Sequence, residues 1–109
     1  MPQSAADLKR IAHALPGTTE APHFDRAAFK VDRIYATLAA DGLTANLKFT
    51  PDEQAFKCML APTVFSPIDN AWERQGWTTI TLADATEDDL AAALAMAHAH
   101  AVGKPKKRR

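Results

Sequence analysis

Residues 27–49 read AAFKVDRIYATLAADGLTANLKF, and this stretch decides the fold. Apolar and polar side chains alternate in three short runs within it, at residues 27–31, 33–38 and 43–49. Alternation with a period of two is typical of half-buried strands. The Asp41-Gly42 pair predicts a hairpin turn between the last two runs, because glycine accepts a positive φ. The stretch therefore predicts an antiparallel meander.

Two more alternating runs lie outside this stretch, at residues 18–24 and 77–82, and they predict a first and a last strand. Helix signals lie between and around the strands. Ser4 begins an amphipathic run that stops at Pro16-Gly17, and Thr50-Pro51 begins a short helix that reaches about Leu60. Thr86 caps an alanine-rich helix that runs to about Val102.

These elements predict an α+β fold of two layers, in which an antiparallel sheet of about five strands packs on N-terminal and C-terminal helices. At 109 residues the chain has the length of one domain. We expect that domain to cover residues 1–103 and a basic, flexible tail to cover residues 104–109. Residues 61–76 are expected to be irregular, because Pro62 and Pro67 interrupt regular structure there.

The composition indicates a folded, soluble, cytoplasmic protein. Hydrophobic residues make up 47% of the chain and charged residues 24%, which are ordinary values for a globular domain. No apolar run approaches the roughly 20 residues of a membrane span, and the first residues do not resemble a signal peptide. Cys58 is the single cysteine, so no intramolecular disulfide can form and a reducing compartment is expected.

The formal charge is zero, with 13 basic and 13 acidic residues, but the charge is unevenly distributed. The tail holds five basic residues, which leaves eight basic against 13 acidic residues in the folded body. This acidic body excludes a uniformly basic nucleic-acid binder. A surface for anions must therefore come from local segregation of charge, or from the tail residues Lys104, Lys106, Lys107, Arg108 and Arg109.

Alternation divides the strand residues into two faces. The apolar face is expected to pack on the helices and contains Ala27, Phe29, Val31, Ile34, Ala36, Leu38, Leu43, Ala45, Leu47, Phe49, Ile80 and Leu82. The opposite face is polar, has no carboxylate, and contains Arg26, Ala28, Lys30, Arg33, Tyr35, Thr37, Thr44, Asn46, Lys48, Thr79 and Thr81. Such a face suits phosphate oxygens, but Thr, Lys and Arg are also ordinary residues of a solvated sheet, so both interpretations stay open.

Several single residues also have a functional and a structural interpretation. Trp72 and Trp77 could stack on bases with Arg74 on a phosphate, although we expect both tryptophans, Trp77 especially, to be core residues. His23 could bind a ligand or hydrogen-bond the backbone. A candidate ligand cleft would combine His23, Tyr35 and Trp72.

Enzyme and metal signatures are missing from the sequence. Cys58 is expected to be a packed thiol. His98 and His100 lie two apart on a helix and are expected on its surface, pointing in different directions and unable to share a metal. There is no glycine-rich phosphate loop, no Ser-His-Asp arrangement and no pair of carboxylates in an apolar setting. We expect a binding protein without a cofactor or a metal, and no enzyme.

Three motifs together resemble the MmcQ/YjbR family. They are Leu15-Pro16-Gly17; then Pro22-His23-Phe24 followed by Arg26, Phe29 and Val31; and Trp72 to Trp77, which reads WERQGW. The resemblance extends from about Leu8 to Val102, and Trp-x-Arg-Gln-Gly-Trp is its most specific part. It implies a small bacterial α+β protein with a fold related to the CyaY group, described as DNA-binding through a double-wing arrangement. Asp25 and the Ala27-Ala28 pair depart from the family pattern.

The relation to the CyaY group also raises iron binding as an alternative. Frataxin-like proteins bind iron through a carboxylate-rich ridge on the first helix and the neighbouring strand. The first helix of this chain has only Asp7. Hard metal ions need several oxygen ligands close together, so the sequence argues against an iron site.

The leading hypothesis from the sequence is weak, largely sequence-independent DNA binding by a monomer that contacts no membrane. The residues expected to contact nucleic acid are Arg26, Lys30, Arg33, Lys48, Arg74, Lys104, Lys106, Lys107, Arg108 and Arg109. The alternative is a non-enzymatic module that binds a small molecule or another protein.

Overall fold

The structure is a computed structural model that describes residues 3–23, 25–68 and 76–102, with only the backbone described at His23. These residues form three α-helices and six strands, with a short 3-10 turn at Leu82–Asp84. The helices are α1 (Ala5–Ala14), α2 (Pro51–Leu60) and α3 (Glu87–Ala101). The strands are β1 (Thr19–His23), β2 (Arg26–Lys30), β3 (Ile34–Leu38), β4 (Thr44–Lys48), β5 (Phe65–Pro67) and β6 (Trp77–Thr81).

Each helix begins at a capping box, which confirms the helix starts predicted from the sequence. In every case the hydroxyl of the N-cap residue accepts a hydrogen bond from the backbone N–H three residues later, and the carboxylate there accepts one from the N-cap N–H. The pairs are Ser4 with Asp7, Thr50 with Glu53, and Thr86 with Asp89. A cap of this kind satisfies N–H groups that the helix itself leaves unpaired.

The six strands form one antiparallel sheet in the order β1-β2-β3-β4-β6-β5. The first four strands are the predicted meander, and Gly42 in the β3–β4 hairpin has a φ of 74°. Strand β5 was not predicted from the sequence, and it lies inside the stretch that was expected to be irregular. Both edge strands contain a proline, Pro22 in β1 and Pro67 in β5, which agrees with the tolerance of sheet edges for a residue that cannot donate a backbone hydrogen bond.

The helices cover one face of the sheet and form the core with it. Leu8 and Ala12 of α1 and several residues of α3 are completely buried against strand residues. The alanines of α3 have little side-chain volume, so this helix can approach β3 and β4 closely. Each large apolar side chain buried in this way stabilises the fold by about 1.5–3 kcal/mol. We call the side of the sheet that faces the helices the helix face and the opposite side the open face.

Tyr35 does not lie on the open face, where strict alternation predicted it. The register pairs Lys30 with Ile34 but Phe29 with Ala36, so β3 has one extra residue at this point. A β-bulge of this kind shifts the alternation, and Tyr35 and Ala36 are both completely buried. The Tyr35 hydroxyl lies 2.8 Å from the Thr18 hydroxyl, in hydrogen-bonding contact. Burial raises the pKa of Tyr35 despite that hydrogen bond.

His98 and Leu43 also differ from their predicted positions. His98 is buried instead of lying on the helix surface, and its Nε2 is 2.8 Å from the carbonyl oxygen of Pro16. That hydrogen bond joins α3 to the Leu-Pro-Gly turn and gives the turn a structural role. Leu43, expected on the helix face, is 62% exposed because it precedes β4 in the hairpin loop. His100 is partly buried and its Nε2 lies 2.8 Å from Glu53 Oε1, which connects α3 to α2.

Helix α2 lies at the β6 and β5 end of the sheet and contacts both strands. Gln54 is its buried residue, and Gln54 Nε2 donates a 2.8 Å hydrogen bond to the carbonyl oxygen of Trp77. Cys58 packs against the core as the sequence predicted, and burial raises the pKa of its thiol. Phe56 and Met59 are exposed, so α2 is held mainly through one side.

Gly76 fixes the point at which β6 begins. Its φ is 88°, a backbone conformation that residues with a side chain rarely adopt. A Cβ atom built there would lie 1.9 Å from the carbonyl oxygen of Phe49. The backbone N–H of Phe49 donates a 3.1 Å hydrogen bond to the carbonyl oxygen of Gly76. Only glycine allows the two backbones to approach so closely. The glycine of the WERQGW motif therefore has a clear structural requirement.

None of the helices within the described ranges is long and apolar enough to cross a membrane.

Candidate nucleic-acid interface

The open face can be assigned from the strand register, because residues opposite each other in neighbouring strands project to the same side. Ala36 pairs with Leu47, and Ala45 pairs with Ile80, and all four lie in the core. The alternate residues therefore face away from the helices. They are Thr19, Ala21, Arg26, Ala28, Lys30, Ile34, Thr37, Thr44, Asn46, Lys48, Ser66, Trp77, Thr79 and Thr81.

The charge on this face is entirely positive in the part of the chain that the structure describes. Arg26, Lys30 and Lys48 are its cations, in the strand positions that the sequence predicted. The strands contain one carboxylate, Glu20, and it lies on the helix face, opposite Phe29. Glu20 contacts Lys9 Nζ at 3.3 Å and His13 Nε2 at 2.9 Å, both on α1. Its negative charge is thus directed away from the open face.

Arg26 is held in place on the open face by the neighbouring strand. Its Nε donates a 2.9 Å hydrogen bond to the Thr37 hydroxyl, and one Nη donates to the Thr37 carbonyl oxygen at 3.5 Å. Arg26 is partly buried and Thr37 is 8% exposed. A guanidinium has five N–H donors, so this arrangement orients the group and leaves donors for an anion.

Lys48 and Trp77 form a cross-strand pair between β4 and β6, on the open face and away from Arg26 of β2. The Lys48 Nζ lies 6.0 Å from the centroid of the Trp77 ring, within cation–π range. Burial lowers the pKa of Lys48. Trp77 was expected in the core, but it is partly exposed. It lies on the open face because alternate residues of a strand share a face, and Trp77 alternates with Thr79 and Thr81 in β6. Counting back from those two threonines could have placed it correctly.

A polar row connects the Arg26 region with Trp77. Thr37, Asn46 and Thr79 pair across β3, β4 and β6, and the Thr79 hydroxyl donates a 2.9 Å hydrogen bond to Asn46 Oδ1. Hydroxyl and amide groups of this kind both donate and accept hydrogen bonds. Among the side chains that the structure describes, the face therefore combines three cations, a polar row and one aromatic ring.

The remaining predicted contact residues are placed differently. Arg33 is exposed but lies in the bend between β2 and β3. Arg74, Trp72 and the five basic residues of the tail lie outside the described residues, as does the side chain of His23. The ligand cleft of His23, Tyr35 and Trp72 is not supported, because Tyr35 points into the core and is 0% exposed.

A groove of about 480 Å³ follows the β1–β2 hairpin instead. It is lined by Glu20, Ala21, Pro22, Asp25, Arg26 and Ala27. Two carboxylates line it beside a single cation, so it is less suited to an anion than the open face. In the described parts of the chain, no three His, Cys, Asp or Glu side chains are arranged so that they could hold a metal ion.

Two solved structures are similar to this fold. A crystal structure of the Deinococcus radiodurans protein DR2400, a DUF419 domain, matches with a TM-score of 0.72 and 25% identity, covering 84% of this chain and 73% of that chain. A Pseudomonas syringae protein, structural-genomics target PsR293, matches with a TM-score of 0.63 and 15% identity, covering 84% of this chain and 93% of that one. The second likeness shows the fold alone. No curated protein matches the sequence.

The family comparison agrees with the structural one. The model of the YjbR family matches residues 13–100, from the end of α1 to the last turn of α3, and DUF419 is the same family. All six strands lie within the matched region. The resemblance seen in the Leu-Pro-Gly and WERQGW motifs is confirmed, and the chain belongs to the YjbR family.

Proposed function

We propose that the protein binds DNA weakly and without sequence preference, through the open face of its sheet. The observation that carries this proposal is the segregation of charge between the two sides of one sheet. Arg26, Lys30 and Lys48 project from the open face, whereas Glu20 projects from the helix face and is paired with α1. An anionic polymer would therefore meet a positive surface on a chain whose formal net charge is zero.

The side chains of the open face also fit the groups of a phosphate backbone. Arginine, lysine, threonine and asparagine supply most hydrogen bonds from proteins to phosphate and sugar oxygens. Arg26 is oriented by Thr37 before any ligand binds, so less side-chain entropy is lost on contact. Contacts of this type position a nucleic acid but do not identify its bases. This is why we propose binding without sequence preference.

The expected strength of binding follows from the number of cations. Three phosphate contacts would give a slope of log K against log salt of about −3, since each neutralised duplex phosphate contributes about −0.9. Proteins with six to ten such contacts have much steeper slopes. Binding through the open face alone should thus be weak and should be measured at low salt.

Filter binding of a short DNA duplex over a series of salt concentrations tests the proposal. The test variant is Lys30→Gln combined with Lys48→Gln, and the control is Arg10→Gln combined with Lys57→Gln, on α1 and α2. Both variants lose two positive charges, so any general effect of net charge is equal. We expect the test variant to lower the salt slope by about 2 and the control to leave it unchanged. Equal losses in both variants would contradict a site on the open face.

The basic tail needs a separate experiment, because five cations in residues 104–109 can bind DNA without a folded site. We expect a chain that ends at Gly103 to retain binding with a smaller salt slope. Lys30→Gln with Lys48→Gln in that shortened chain should then remove most of the remaining affinity. If the shortened chain does not bind at low salt while the full chain does, the tail and not the sheet is the DNA-binding element.

A further inference from the structure

We infer that the open face prefers single-stranded DNA to duplex DNA and that Trp77 is the residue on which a base stacks. This inference rests on the proposed function and adds a substrate class to it. The observation behind it is the position of Trp77, which is partly exposed on the open face and outside the core. A tryptophan packed in the core would not present its ring beside Lys48 on that face.

The surroundings of Trp77 suit a nucleotide. Lys48 Nζ lies 6.0 Å from the ring centroid, so a phosphate next to a stacked base is within reach of its ammonium group. Asn46 and Thr79 form the adjacent hydrogen-bonded pair on the same face and can meet the polar edge of the base. Stacking on an indole does not depend on base identity, since every base has a π-face. The site would therefore accept single strands of varied sequence.

The shape of the face explains the preference for single strands. Within residues 3–23, 25–68 and 76–102, the open face consists of strand side chains, and the three helices lie on the other side of the sheet. No described helix is thus placed to enter a major groove, the usual route to the bases of a duplex. A duplex covers its base faces by stacking, so it offers phosphates to this surface but no base face for Trp77. A single strand offers phosphates and unpaired bases together.

Isothermal titration calorimetry of the full chain at low salt tests this preference. The probes are oligothymidine of about 12 nucleotides, within the range that sheet-based single-strand binders cover, and a duplex of equal length. The variants are Trp77→Leu, which removes the ring, and Trp77→Phe, which keeps one. Thermal unfolding shows whether each variant folds. An oligouridine of equal length is a third probe.

The expected result is tighter binding of oligothymidine than of the duplex. Trp77→Leu should weaken binding of oligothymidine about 5-fold to 150-fold and leave duplex binding unchanged, because stacking contributes about that factor per base. Trp77→Phe should weaken oligothymidine binding only a few-fold, because it keeps an aromatic ring with a smaller face than the indole. Oligouridine should bind within a few-fold of oligothymidine, since stacking on Trp77 does not use the ribose. A large preference for either strand would indicate contacts to the sugar or to the thymine methyl group and would contradict a site dominated by stacking.

Failure of the inference can be told from failure of the proposed function. If the duplex binds as tightly as oligothymidine, or if Trp77→Leu weakens both probes equally, the preference for single strands is wrong and the phosphate-binding face remains. If Trp77→Leu does not fold, Trp77→Phe decides the question. A few-fold loss of affinity for oligothymidine with unchanged affinity for the duplex supports stacking, and unchanged affinity for both probes contradicts it. If neither probe binds at low salt, both proposals are wrong.

Discussion

The two faces of the sheet are made by the same strands, and β4 shows the contrast within five residues. Ala45 and Leu47 are completely buried under α3, whereas Asn46 and Lys48 project to the open face. The helix face is apolar apart from its edge, where Glu20 lies, and supplies the stability of the fold. The open face carries cations, hydroxyl groups and an indole ring that the core does not need. Stability and proposed binding can therefore be altered separately, by substituting residues next to each other in the sequence.

Gly76→Ala should disrupt both faces at once and have the largest effect. The new Cβ would collide with the carbonyl oxygen of Phe49 at a position where φ is already 88°. We expect a loss of at least about 4 kcal/mol in the free energy of unfolding, or no folded protein. The control is Gly17→Ala, also at positive φ but 3.1 Å from the Val31 side chain, which should cost about 1–2 kcal/mol. Urea denaturation measures both, and similar losses would contradict a special role for Gly76.

Leu47→Ala and Lys48→Ala separate the faces most directly. Leu47 is completely buried, so its truncation should lower the free energy of unfolding by about 2–5 kcal/mol and leave DNA affinity of the folded protein unchanged. Lys48→Ala should cost less stability, about 0.5–1 kcal/mol, because it removes the cation–π contact with Trp77, and it should weaken DNA binding. Urea denaturation measures the stability of each variant, and filter binding measures its affinity for DNA. A loss of binding in folded Leu47→Ala would show that the faces are not independent.

Tyr35→Phe tests whether Tyr35 belongs to the helix face. The substitution keeps the ring against His98, 5.4 Å between centroids, and removes the hydroxyl that contacts Thr18. We expect a loss of about 1 kcal/mol in unfolding free energy, because a partly buried Thr18 hydroxyl loses a partner. Affinity for DNA should not change. Weaker DNA binding at equal stability would indicate that Tyr35 lies on the open face, and it would argue against the bulge.

Glu20→Gln should have the smallest effect and depends on pH. The hydrogen bond from His13 lowers the pKa of Glu20, burial opposes that shift, and Lys9 adds to it. A lowered pKa means that the stabilisation is complete above the usual value of about 4.5 and is lost as the pH falls through the folded-state value.

We therefore expect Glu20→Gln to be less stable than the natural chain by up to about 1 kcal/mol near pH 6. The difference should shrink as the pH drops below about 4.5. Thermal unfolding of both chains between pH 3 and pH 7 checks the trend, and a difference that grows toward low pH would contradict it. DNA binding at pH 7 should be equal, because Glu20 lies on the helix face.

Features with a local cause could be predicted from the sequence. The three capping boxes depend on residues three positions apart, and the β3–β4 hairpin depends on Asp41-Gly42. The order of the first four strands follows from the short connections between them. The placement of Arg26, Lys30 and Lys48 also follows from alternation within single strands.

Features that depend on distant parts of the chain could not be predicted. The bulge at Tyr35 arises from pairing with β2, and no residue in β3 marks it. Strand β5 is only three residues long and contains Pro67, so it has no alternating run to detect. Burial of His98 depends on the carbonyl of Pro16, 82 residues earlier. Trp77 was expected in the core because tryptophan is generally buried. The alternation of β6, which puts Trp77 on the same face as Thr79 and Thr81, was the better guide.

The position of Trp77 makes its indole a fluorescent probe of the open face. The chain has two tryptophans, so Trp72→Phe would leave a single indole, with an ammonium group 6.0 Å from its centre. The emission of that indole should respond to any ligand that displaces Lys48 or covers the ring. A ligand in the β1–β2 groove, at the opposite end of the strand order, should leave it unchanged. Occupancy of the two surfaces can thus be distinguished in unlabelled protein, whatever the ligand is.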